Sequence, residues 1–73
     1  MQVKVANRMY QMSRAEYQKL LLIAKEQVKF GIFAVEKGNY AELRNDKCTS
    51  ISQLKEMTRQ FKSRGYKVMS NGR

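Results

Sequence analysis

Lys55, Arg59 and Lys62 stand at i, i+4 and i+7, a spacing that gathers three cations on one side of a helix because 3.6 residues complete a turn. Arg64 and Lys67 extend this charge past the point where such a helix would end. From Ile51 to Arg73 there are six basic residues and one acid, Glu56, which makes +5 of the chain's formal +9. The chemistry this stripe suits is electrostatic. Each cation displaces a condensed counterion from a phosphate, so binding to nucleic acid would weaken with salt. Tyr40 and Tyr66 add stacking platforms if the sheet exposes their rings. No short Asn, Gln and Arg cluster points to base reading, so contacts are expected mainly at phosphates. The same stripe also suits a solvated face that merely keeps a small protein in solution.

Covalent and metal chemistry find little to work with. The chain has no His and one Cys, Cys48. That removes Ser-His and Cys-His pairs, imidazole ligands and any all-cysteine zinc site. The acids are Glu16, Glu26, Glu36, Glu42, Asp46 and Glu56, and they fall at a helix cap, at turns or on polar faces beside Lys or Arg. None lies inside an apolar block, where burial would raise its pKa into the range of a general acid. Gly31, Gly38, Gly65 and Gly72 are isolated and form no phosphate-cradling loop. A protein with no enzymatic activity, no metal and no cofactor is therefore expected. Arg64-Gly65-Tyr66 matches the opening of an RNA-binding sheet motif, but Lys67-Val68-Met69-Ser70 departs from it, and a helix stop followed by a strand explains the same residues.

The elements that must position these residues follow one another with short connections. Gln2 to Met12 reads as a β-hairpin turning at Asn7-Arg8, with one long strand as the competing reading. Ser13-Arg14-Ala15-Glu16 is a capping box, and the helix it opens should run from Arg14 to about Gln27. Tyr17, Leu20, Leu21 and Ala24 form its buried stripe, and Leu22 falls on the side away from it. Phe30 to Val35 is a continuous apolar run suited to a central strand covered on both faces. Glu36 to Asn39 forms the turn, Tyr40 to Arg44 the return strand, and Asn45-Asp46-Lys47 a loop, with Cys48 at a strand end.

Ser50-Ile51-Ser52-Gln53 is a second capping box. Its helix carries the basic stripe on one side and anchors Ile51, Leu54 and Phe61 on the other, until Gly65 stops it. Tyr66 to Met69 is a last strand and residues 70–73 a polar tail.

The resulting expectation is a single α+β domain of 73 residues in the order β-β-α-β-β-α-β, a small mainly antiparallel sheet with two helices packed on one face. One cysteine cannot close an internal disulfide, which fits a reducing, cytoplasmic setting. The longest apolar run, Leu20 to Ala24, is far short of the ~20 residues a membrane span needs, so no membrane partner is expected. Function is expected to be binding: nucleic acid through Lys55, Arg59, Lys62, Arg64 and Lys67. The alternative is a protein-binding module, a small inhibitor or accessory factor of the phage or mobile-element type acting on the acidic surface of a host protein. Leu22 and the apolar third strand would supply its interface, or that of a homodimer.

Overall fold

The computed structural model describes residues 1–72. Its elements are β1 (Gln2–Val5), β2 (Arg8–Gln11), α1 (Arg14–Gln27), β3 (Gly31–Lys37), β4 (Tyr40–Lys47), α2 (Ile51–Ser63) and β5 (Lys67–Asn71). The α+β class and the order of elements are those expected from the sequence. The strands form one five-stranded sheet in the order β2-β1-β4-β3-β5. Three of its neighbouring pairs are antiparallel and one, β1 with β4, is parallel.

The helices lie on opposite faces of this sheet, not on one. The reason is topological. The step from β2 to β3 through α1 and the step from β4 to β5 through α2 both join parallel strands and both move the same way across the sheet. The two strand pairs point in opposite directions. A right-handed crossover places its helix according to strand direction and sense of movement, so reversing one of the two sends the helix to the other face. The packing agrees. Tyr17, Ala24 and Val28 on or just after α1 meet Val3, Ala41, Phe33 and Ala34. Leu54 of α2 meets Ile32, Val35 and Cys48, with Met57, Phe61, Tyr66 and Val68 around them.

A bulge in β3 makes this division possible. Ile32 and Val35 are three residues apart and would face opposite sides of a regular strand. The register shifts between Ile32 and Ala34, so Ile32 and Val35 both face α2 while Phe33 and Ala34 both face α1. Gly31 opens this strand with φ +146°, and a Cβ there would lie 2.0 Å from the Asp46 carbonyl oxygen. Residues Gly31 to Val35 are all buried, as a central strand covered on both sides requires.

Several local boundaries differ from expectation. The first hairpin turns at Ala6-Asn7, with φ +50° and +68°, one residue before Asn7-Arg8. Positive φ at both central positions gives the turn the twist that flanking strands need. Residues 45–47 are strand, not loop, because Asp46 and Lys47 pair with Ile32 and Gly31. Glu36 belongs to β3 rather than to the turn. Ser70 and Asn71 extend β5 into the proposed tail by pairing with Ile32 and Gly31, and Arg73 lies outside the described residues. Ile51 is 43% exposed at the first position of α2 and does not anchor the helix.

Both helix starts are capped by the expected serines. The Ser13 hydroxyl accepts from the Glu16 N–H, and the Glu16 carboxylate accepts from the Ser13 N–H. At α2 the Ser50 hydroxyl accepts from the Gln53 N–H, but the Gln53 amide oxygen turns to Thr49, accepting from its N–H and its hydroxyl. Gly65 follows α2 at φ +89°, the left-handed stop expected of it. No helix among the described residues is long and apolar enough to cross a membrane.

Candidate functional site

Most of the acids are held by hydrogen bonds or ion pairs within the chain, Glu16 and Glu56 among them on the surface. Glu16 closes the α1 cap, and its two bonds with Ser13 hold its carboxyl below the ordinary value. Glu36 accepts from Tyr17. Glu42 and Asp46 both grip the Arg44 guanidinium. These three alternate along β4 and so share one side of the strand, where the Arg44 guanidinium also lies 4.8 Å from the Phe61 ring centre. The hydrogen bond to Asp46 is the main cause that raises the Arg44 pKa. Glu56 pairs with Arg59 at 2.5 Å, and hydrogen bonds from Arg59 and then Gln60 lower its pKa. Five of the six acidic side chains are thus occupied, while Arg44 and Arg59 are the cations that form salt bridges among the described residues. Among the described residues only Glu42, Asp46 and Glu56 are paired with cations; Glu16, Glu26 and Glu36 keep their charge, and the surface field is the excess of the remaining lysines and arginines over them.

Helix α2 concentrates part of that field. Leu54, Met57 and Phe61 turn inward, and Lys55, Arg59 and Lys62 are exposed on its flank. All three line one open depression of about 420 Å³ together with Leu54, Thr58 and Ser70, so they converge beside β5, an edge of the sheet. Arg64 caps α2: its carbonyl accepts from Lys37 Nζ at 3.0 Å and its side chain is exposed. Lys67 does not continue the stripe. It is in register with Glu36, whose carboxylate points to Tyr17 of α1, so strand alternation puts Lys67 on the face opposite α2.

The two tyrosines differ. Tyr66 is half-buried, with Phe61 edge-on at 5.8 Å and Lys37 Nζ 5.5 Å from its ring centre. Its ring is occupied by the protein. Tyr40 is also half-buried, and its hydroxyl donates to Glu42 at 3.2 Å. Partial burial and the Glu42 charge push its pKa up. Tyr40 borders an open depression of about 480 Å³ with Gln2, Gln11, Lys37 and Asn39. Sequence reasoning did not connect Gln2, Gln11 and Lys37 to the site, because only strand pairing makes them neighbours.

Leu22 is 64% exposed on α1 and Ile23 beside it 54%. Ile23 borders an apolar depression with Val5, Leu20, Ala24 and Leu43. The apolar run of β3 adds nothing to this surface, because it is buried between the two helices. Cys48 is buried, its Sγ 3.7 Å from Met57 Sδ. No cluster of metal-ligating side chains occurs among the described residues. No protein-family model, curated protein or solved structure matches this chain.

Proposed function

We propose that this chain is a non-enzymatic binding protein that holds nucleic acid by its phosphates along the exposed flank of α2. The observation that carries this reading is the convergence of Lys55, Arg59 and Lys62 on one depression in a chain with fifteen lysines and arginines against six acids. Arg59 is available despite Glu56. The pair is exposed, and such pairs contribute only about 0–1 kcal/mol, so a phosphate can take the place of the carboxylate at small cost. Arg64 extends the surface at the end of the helix. Contacts of this kind position a ligand without reading its sequence. Non-specific binding then falls at a dissociation constant of roughly 10⁻⁴ to 10⁻⁶ M at physiological salt.

The test is fluorescence anisotropy with labelled duplex and single strands over a salt series. Replacing Lys55, Arg59 and Lys62 together by Gln keeps the fold, since all three are exposed, and reduces the salt slope by about two to three units. An unchanged slope in the folded triple variant rejects this surface. No binding by the wild type at low salt rejects nucleic acid as the partner.

The exposed Leu22–Ile23 pair favours a second reading, a protein-binding module that presents α1 to a partner or to a second copy of itself. Light scattering decides the homodimer: a mass of 8.6 kDa at high concentration means that the chain does not self-associate.

A further inference from the structure

We infer that Gln11, Gln2, Tyr40 and Lys37 form a subsite for the unpaired bases of a single strand of nucleic acid, which deepens the reading proposed above and rests on it. The residues come from four different strands. Gln2 is in register with Gln11 on β2 and with Tyr40 on β4, and Tyr40 is in register with Lys37 on β3. Residues directly opposite one another project from the same face, so these four make one row across the sheet. Neighbouring strands lie about 4.8 Å apart, which gives the row a length of roughly 14 Å.

The row belongs to the face that carries α2. Val3 and Ala41, next to Gln2 and Tyr40, are buried under α1, so Gln2 and Tyr40 point the other way. Helix α2 packs on β3 and β5 and leaves β1 and β2 open on this face. Gln2, Gln11 and Lys37 are exposed accordingly, and the depression they share with Tyr40 has the size of a small-ligand cleft, roughly 300–1,000 Å³.

The chemistry selects the occupant. A tyrosine ring offers a stacking surface to any base. A glutamine amide both donates and accepts, which matches the edge of an unpaired base. An uncharged ligand could use the same groups, but the formal charge of +9 and the Lys37 ammonium at the end of the row draw a polyanion. An apolar peptide finds little purchase, since Met1 and the Tyr40 ring are the apolar groups lining the depression and Gln2, Gln11, Lys37 and Asn39 supply the rest. Lys37 also joins the row to the basic flank. Its Nζ donates to the Arg64 carbonyl at the end of α2, so a strand leaving the row passes Arg64 and meets Lys62. Duplex DNA keeps its bases stacked and cannot use the row, while its phosphates can still reach Lys55, Arg59 and Lys62.

Anisotropy with a short labelled single-stranded RNA, the same sequence as DNA, and its duplex tests this with Tyr40→Leu, Tyr40→Phe and the double variant Gln2→Ala/Gln11→Ala. Tyr40→Leu is expected to weaken single-strand binding roughly 5- to 150-fold, the loss of one base stack, with the salt slope unchanged. Tyr40→Phe keeps the ring and the affinity. The double Gln variant also loses single-strand affinity, and all three bind duplex like the wild type. Circular dichroism checks folding; if Tyr40→Leu does not fold, the double Gln variant decides. Unchanged single-strand affinity in the folded variants overturns the subsite and leaves the basic flank standing, as does an equal loss on single strand and duplex. A wild type that binds neither at low salt removes the nucleic-acid reading and the subsite with it.

Discussion

The Tyr17 hydroxyl donates to the Glu36 carboxylate at 2.6 Å, from a fully buried residue in the otherwise exposed first turns of α1 to the far end of β3. It fixes the helix against the sheet at one point where a polar group would otherwise be buried alone. Burial and the Glu36 hydrogen bond raise the Tyr17 pKa above its ordinary 10.0. The folded state therefore holds this proton more tightly than the unfolded chain. That stabilisation is complete below about pH 10 and is lost as pH rises through the folded-state value. Tyr17→Phe is expected to cost roughly 1.5–3 kcal/mol at neutral pH, as for a hydrogen bond to a charged group. It should also flatten the alkaline decline, which urea unfolding from neutral pH to above pH 10 measures directly.

Gly31→Ala should be among the most damaging single changes. The new Cβ would meet backbone, the Asp46 carbonyl oxygen at 2.0 Å, and φ +146° is unfavourable for any L side chain. A loss of more than about 3 kcal/mol is expected, since strain and a broken β3–β4 ladder add. Thermal melting followed by circular dichroism reads it.

Ala6→Asn should stabilise the protein. Ala6 sits at φ +50° in the first hairpin turn, where an alanine costs roughly 1–2 kcal/mol and asparagine is tolerated. A gain of about 1 kcal/mol corresponds to a rise in Tm of about 4–8 °C for a domain of this size. Calorimetry on the pair of proteins checks it.

Asn71→Ala should loosen the end of α1. The Asn71 amide donates to the Lys25 and Val28 carbonyls, at 2.8 and 2.9 Å, where the helix has no partners of its own to offer. Destabilisation of about 1–3 kcal/mol is expected. Hydrogen exchange should show faster amides in the last turn of α1 and little change in α2. Asn71→Asp should do more harm, because a carboxylate cannot donate and its charge opposes the helix C-terminus.

Much of this architecture is legible in local spacing. Ser13 with Glu16, Ser50 before α2 and Gly65 after it mark helix ends because capping is chemistry between residues a few positions apart. The apolar run to Val35 identifies a strand covered on both faces for the same reason: its side chains report their surroundings directly. Lys55, Arg59 and Lys62 share a flank because helical periodicity alone puts them there.

What spans the chain had to be decided by the tertiary structure. Helices on one face were expected because nothing in the residue pattern states the direction in which each crossover runs; the parallel β1–β4 pairing sets that direction and sends α1 and α2 to opposite faces. The bulge at Phe33 depends on β4 and β5 pairing with β3 at once, so period-two alternation along β3 could not reveal it. Lys67 follows Arg64 closely in sequence yet leaves the stripe, because a strand turns alternate side chains away where a helix would have rotated them gradually. Gln2, Gln11, Lys37 and Tyr40 became neighbours through strand register, a relation between distant segments that the sequence alone does not contain.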